Sequence, residues 1–270
     1  MRKILTFFGV LVILVIILVS FLKKDFTSPS IQTQVETKEE KKKPSLVDQS
    51  QIEEKFYNIL TEYTMFDVSY PQFKNAPAEF NKKIEDLATE GIEGYTKDSE
   101  ANWKARYKTR AKGEDIKEFP IDEEKFSFAI SYIPIQVNAN YISVLVDLVG
   151  YTGGAHGYKN SISFNYDITN KKEMKLADLF PDDSNYLKTI SELARADLKE
   201  QIYNRLGAET EKEKTELAGG IMDMLLLGTE PNQENFNIFT FTPEEVTFYF
   251  TEYQVASYAM GEFKVSMPRK

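Results

Sequence analysis

The chain has 270 residues, no cysteine, a single histidine, 42% hydrophobic residues and a formal net charge of −9. That length accommodates one large or two small domains with a sizeable apolar core. The lack of cysteine excludes disulfides, thiolate nucleophiles, thiol lipidation and Cys-ligated zinc or iron–sulfur sites, and one histidine excludes zinc held by two or three His ligands.

The first element is an uncharged, strongly aliphatic run of 19 residues, 4–22, between Arg2 and Lys3 on one side and Lys23 and Lys24 on the other. A helix of that length rises about 28 Å, close to the hydrocarbon thickness of a bilayer. Residues 1–24 therefore read as a single-pass signal anchor in the cell membrane, with the C-terminal bulk extracytoplasmic. A cleaved signal peptide is the alternative, but its apolar region is usually shorter and ends in an A-x-A-like site. Residues 25–50 are rich in Ser, Thr, Gln, Lys and Glu, a composition that buries too little apolar surface to order itself, and read as a flexible tether.

Residues 1–50 hold 8 basic and 5 acidic side chains, leaving 25 basic and 37 acidic in 51–270, a net of −12. A basic nucleic-acid footprint is absent. An acidic outer part attracts cationic partners and repels polyanions.

Residues 52–70 are aromatic and β-branched and predict extended structure up to Pro71. Over 76–112, Phe80, Ile84, Leu87, Ile92 and Tyr95 recur near helical spacing and predict one or two amphipathic helices, with Gly91 and Gly94 as candidate interruptions and Trp103 packing the helix onto a sheet. Alternating runs at 125–137, 141–151 and 161–169 predict three strands, with Asn138, Ala139 and Asn140 and a glycine cluster as their turns. A long helix follows, with Leu187, Ile190, Leu193, Leu198, Ile202 and Leu206 as its apolar stripe, an N-cap within Asp182, Asp183 and Ser184, and Gly207 as its stop. A second helix is expected at about 211–227, and three strands close the chain. The order predicts an α+β fold, with helices packed on largely antiparallel sheets.

The glycine cluster, GYTGGAHGY at 150–158, contains the only histidine, His156. It reads either as a turn whose glycines supply positive φ or close backbone approach, or as a ligand loop in which Tyr151, Gly153, Gly154, His156 and Tyr158 offer hydrogen bonds and stacking. A lone histidine suits neither HExxH metal chemistry nor demanding acid–base work. No G-x-S-x-G elbow, GxxxxGK[ST] loop or GxGxxG fingerprint is present. The expectation is no catalytic residue, no metal and no cofactor. A hydrolase with paired carboxylates stays open as an alternative, as does a purely structural envelope protein.

YTGGAHGY, then FNYDITNKKEMKLADLF, then VTFYFTEYQVASYAMGEFKVSMP resemble the extracytoplasmic family of the lysozyme-binding outer region of the anti-sigma factor RsiV. The same modules stand in the non-catalytic N-terminal region of the peptidoglycan deacetylase PdaC. The resemblance covers roughly 52–268 and implies an N-terminal α+β domain at 51–136 and a C-terminal one at 137–270 carrying the YTGGAH motif. It further implies a binding or sensing module of the cell envelope, whose partner is a cationic lysozyme-like protein or a peptidoglycan fragment.

Overall fold

The computed structural model describes residues 45–109 and 120–269. The expected anchor at 4–22 lies outside the described residues, and among these no helix is long and apolar enough to cross a membrane. The fold is α+β, with two antiparallel-rich sheets and three α-helices among the described residues.

The first sheet has six strands in the order β1 (Ile52–Leu60), β2 (Thr64–Phe73), β3 (Phe126–Val137), β4 (Tyr141–Tyr151), β5 (Tyr158–Asp167) and β6 (Lys172–Glu173). All neighbours are antiparallel except β2 and β3, which run parallel with Thr64 opposite Phe126. That exception follows from the helix α1 (Ala78–Thr109) between them, because a crossover helix returns the chain to the same end of the sheet. The register of β3 against β4 shifts between Pro134 and Gln136, where proline lacks the N–H needed for a regular ladder.

Helix α1 runs unbroken through Gly91 and Gly94, which corrects their expected role as interruptions. A Cβ at Gly91 would stand 2.3 Å from the Phe128 ring, so glycine here lets the helix approach the sheet closely. Phe80, Ile84 and Ala88 bury against Phe66, Val68, Tyr70, Phe73, Phe128, Ile142, Val144 and Val146. Trp103 is buried beside Tyr63 and Phe126.

The second layer comprises α2 (Tyr186–Leu206), α3 (Glu211–Gly228) and a three-stranded antiparallel sheet of β7 (Phe239–Phe241), β8 (Glu245–Phe250) and β9 (Phe263–Pro268). Its core joins Ile190, Ala194, Leu198 and Ile202 of α2 to Phe236, Phe241, Phe248, Phe250 and Val265. Two details differ from the sequence expectation. Leu193 and Leu206 are exposed, at 52% and 41%. Helix α2 also starts from Asn185 with no side-chain cap, because Asp183 instead accepts a bond from the Asn185 N–H at 2.8 Å. Gly207 closes the helix at φ +70°, as expected. Helix α3 begins with reciprocal bonds between Thr210 and Glu213.

The layers meet on the face of the first sheet opposite α1. Side chains alternate along a strand, so Ser143, Leu145 and Asp147 of β4 and Lys159, Ser161, Ser163 and Asn165 of β5 share that face. Ser143 Oγ accepts from the Phe241 N–H at 3.0 Å and donates to Asn165 Oδ1 at 2.7 Å. Asn165 Nδ2 donates to the Phe239 carbonyl at 2.8 Å, and Ser163 Oγ accepts from the Phe239 N–H at 3.0 Å. The boundary expected at 136/137 falls inside β3. Residues expected in the tether dock here too: the Asp48 N–H donates to the Val137 carbonyl at 2.7 Å.

Candidate functional site

GYTGGAHGY connects β4 to β5, with Gly150 paired to Tyr158 across the strands. Gly153 has φ +77°, a conformation side chains disfavour, and its carbonyl accepts from Arg106 of α1 at 2.6 Å. Gly150 and Gly157 are required by proximity instead. A Cβ at Gly150 would meet the Tyr95 hydroxyl and the Tyr158 ring, and one at Gly157 would stand 2.8 Å from the Gly150 carbonyl oxygen. Gly154 is exposed, with no neighbour nearer than 3.9 Å to its Cβ position.

The remaining candidates point in different directions. Tyr151 ends β4, half-buried and opposite Ser127. Tyr158 accepts from the Tyr95 hydroxyl at 2.8 Å; burial, helped by this bond, raises the pKa of Tyr95 well above the usual tyrosine range. His156 is exposed, its Nδ1 lies 2.7 Å from the Gly157 carbonyl, and its ring stacks on Tyr258 with centroids 4.1 Å apart. Tyr258 in turn donates to the Gly157 carbonyl at 3.2 Å and stands 5.7 Å from the ring of Tyr253. The loop is thus bound to the β8–β9 connection by a strip of three rings. Tyr253 is 57% exposed and holds φ +65°, an outlier for a bulky residue.

Beside this strip lies a cleft of about 350 Å³ between the layers. One wall is apolar, from Ile133, Leu145, Phe250 and Phe263. The other carries an ion cluster: the Lys159 ammonium contacts Asp147 at 3.1 Å and Glu262 at 2.6 Å, and the Ser161 hydroxyl donates to Asp147 at 2.6 Å. Burial pulls the Lys159 pKa down, but the bonds to Glu262 and Asp147 outweigh it and the net shift is upward. Arg205 lies over the Phe263 ring at 3.7 Å and donates to the Met260 and Glu262 carbonyls, the latter at 2.9 Å. Tyr249 also lines the cleft, with its hydroxyl 3.0 Å from Thr240 and its pKa raised by burial.

Sequence reading found the loop but not this cluster. Asp147 and Ser161 sit at ordinary polar positions of alternating strands, and Glu262 comes from the far end of the chain. The one available signal was that 147, 159 and 161 share a face across a predicted hairpin. Among the described residues, no group of three or more His, Asp and Glu side chains is placed to hold a metal ion.

Comparison with known proteins matches two separate stretches of the chain, one within the first layer and one within the second. Residues 57–159 match the family model described as "Deacetylase PdaC", and residues 177–270 match "Protein of unknown function (DUF3298)". A curated relative, the peptidoglycan-N-acetylmuramic acid deacetylase PdaC of Bacillus subtilis (strain 168), is 28% identical over 140 residues, which is 52% of this chain and 27% of that protein. The chain thus spans about a quarter of that relative's length. A solved DUF3298 family structure from Bacteroides fragilis superimposes with a TM-score of 0.53 at 18% identity, covering 80% of this chain and 90% of that one, and supports the fold alone. Another, from Pseudomonas aeruginosa, gives 0.48 at 15% identity, covering 80% and 88%. The chain pairs a PdaC-like N-terminal region with a region that matches DUF3298, and the cleft takes residues from both, with Ser161 from the stretch between them.

Proposed function

We propose that this chain is a membrane-anchored, extracytoplasmic recognition module of the cell envelope that binds a peptidoglycan-related glycan without cleaving it. The observation that carries this reading is the two-sided cleft at the junction of the regions. Saccharides present C–H faces to apolar and aromatic walls and hydroxyl or amide groups to fixed polar side chains. Here Ile133 and Phe263 offer the first, and Asp147, Lys159, Ser161 and Glu262 the second. A carboxylate offers about four acceptor sites, so Asp147 and Glu262 keep capacity for ligand hydroxyls beside their bonds to Lys159 and Ser161. The similarity of residues 57–159 to a deacetylase named for peptidoglycan selects the glycan class, and the run at 4–22 supplies the anchor.

A carboxylate hydrolase is the second reading, favoured by the approach of Asp147 and Glu262 to one ammonium. That same ammonium argues against it. A glycosidase leaves a gap for the scissile bond between its two carboxyl groups, whereas the Lys159 ammonium bridges these two, at 3.1 Å from Asp147 and 2.6 Å from Glu262. A cationic lysozyme-like protein is a third reading, in the manner of RsiV, favoured by the net −12 of residues 51–270.

Calorimetry of the full chain in detergent micelles, with muropeptides and with lysozyme across a salt series, tests all three. The glycan reading expects muropeptide binding that is nearly salt-independent and weakened about tenfold by Asp147→Asn or Glu262→Gln, the loss of roughly 1.4 kcal/mol of charge-assisted hydrogen bonding. Absence of muropeptide binding by the unmodified chain overturns it. New reducing ends that vanish in Glu262→Gln would establish the hydrolase, and lysozyme binding that falls steeply with salt would establish the protein partner.

A further inference from the structure

Tyr253, in the β8–β9 connection, combines two features that packing does not explain, φ +65° and an exposed ring. A bulky side chain at positive φ is strained, and glycine would take the same conformation freely. The backbone is held there from both sides. The Gln254 N–H donates to the Thr251 carbonyl at 3.1 Å, and the Thr251 N–H donates to Gln254 Oε1 at 3.3 Å. Gln254 Nε2 donates to the Asn235 carbonyl at 2.9 Å, and Val255 and Ala256 are buried. Gly228, at the end of α3, packs so closely on the Gln254 carbonyl that a side chain there would collide with it. Strain of this kind persists only where the surroundings over-determine the backbone, and it collects at functional sites. Burial does not offset it, since Tyr253 is 57% exposed. The position therefore presents an aromatic ring to solvent on a rigid turn. Tyr258 flanks that ring at 5.7 Å between centroids and is itself braced by the His156 ring and the Gly157 carbonyl.

We propose that Tyr253 is an outer stacking subsite, which takes the sugar residue of a glycan strand that follows the one held in the cleft. This rests on the glycan reading of the cleft. Thr251 and Glu262, both in the cleft lining, bracket the segment that carries Tyr253 and Tyr258. Arg205, also in the lining, donates to the Met260 carbonyl of the same segment. The rings thus stand at the margin of the cleft. The cleft measures about 350 Å³, near the lower end of the roughly 300–1,000 Å³ typical of ligand sites, so a polymeric strand must continue past it. The electron-rich face of an aromatic ring attracts the polarised C–H bonds on one face of a pyranose. Tyrosine offers that face with little conformational entropy to lose, and the locked turn leaves still less. His156, the only histidine, then serves as a brace for Tyr258 and not as an acid or base.

The test compares ligand lengths. Calorimetry of the full chain in detergent micelles uses a disaccharide muropeptide and the corresponding hexasaccharide. The unmodified chain is expected to bind the hexasaccharide roughly five- to tenfold more tightly, the scale of one stacked ring. Tyr253→Ala is expected to remove that gain and leave the disaccharide affinity unchanged, while Tyr253→Phe keeps it. Tyr253→Gly, which takes φ +65° without strain, is expected to melt no lower than the unmodified chain and still to lose the hexasaccharide gain. A tyrosine with a purely structural role would instead lower the melting temperature and leave the ratio of the two affinities untouched, which overturns the proposal. Equal affinity of the unmodified chain for both lengths, or an equal loss at both lengths in Tyr253→Ala, also overturns it and leaves the cleft reading standing. So does a Tyr253→Ala variant that loses lysozyme binding but no glycan affinity, which would assign the ring to a protein partner. Failure of the unmodified chain to bind either sugar overturns the cleft reading and this subsite together.

Discussion

The connection between β4 and β5 contains three glycines, and they are not equally constrained. Alanine at Gly153 must adopt a positive φ, which costs about 1–2 kcal/mol. Alanine at Gly157 puts a methyl group 2.8 Å from a backbone carbonyl oxygen that has no room to retreat. Alanine at Gly154 meets nothing. Thermal melts of the three variants should therefore show clear losses at 157 and 153 and none at 154; a uniform loss would mean that the loop needs flexibility rather than these particular geometries. That the segment needed glycine was legible in the sequence, but which glycine does what was not, because Arg106 and Tyr95 reach the loop from a helix that packs across the sheet. Lys159 makes a second prediction at this scale. Its folded pKa is raised, so the charged form favours the fold. This contribution is complete below the ordinary lysine value of 10.5 and is lost as pH rises through the shifted value. In alkaline titrations of stability, Lys159→Met should remove this part of the decline, and an unchanged titration would place the cluster outside the folding equilibrium.

Helix α2 shows how far periodicity carries at the level of an element. The 3.6-residue rhythm located the helix and its glycine stop, and Ile190, Leu198 and Ile202 are buried as the stripe required. The stripe also enlisted Leu193 and Leu206, which are exposed, and omitted Ala194 and Ser191, which are not. The buried face is turned because α2 meets two neighbours at once. Toward the end of α3, Ser191 donates to the Thr229 carbonyl and Arg195 Nε donates to Thr229 Oγ1 at 2.9 Å, contacts that a hydrophobicity pattern does not register. Leu198→Ala should lower unfolding stability by about 2–5 kcal/mol, and Leu193→Ala by no more than about 0.5 kcal/mol. Denaturant titration of both decides it, and equal losses would restore the stripe read from sequence.

At the scale of the whole molecule, the decisive surface is the polar face of β4 and β5. Alternating strands with polar residues on one side normally mark that side as solvated. Here a second layer covers it, leaving Ser143, Ser161, Asn165 and Asp167 at most 6% exposed. Their polarity has a structural use, since Ser143, Ser163 and Asn165 satisfy the backbone of β7, which among the described residues no neighbouring strand does along that side. Asn165→Ala strands the Phe239 carbonyl without that donor and should destabilise the fold by about 1–3 kcal/mol in denaturant titration; a neutral result would show the layers to be held by apolar contact alone. By itself, the sequence determined the α+β class, most of the strands and helices, and the need for glycine between β4 and β5, because these depend on local periodicity and backbone sterics; it read β1 and β2 as one extended stretch and did not register β6. Only the tertiary structure decided that β2 and β3 run parallel, that the polar face of the sheet is interior, and that Asp147, Lys159 and Glu262 meet in one cleft. Those outcomes depend on which surfaces pack together across long separations in sequence, and no local pattern encodes that choice.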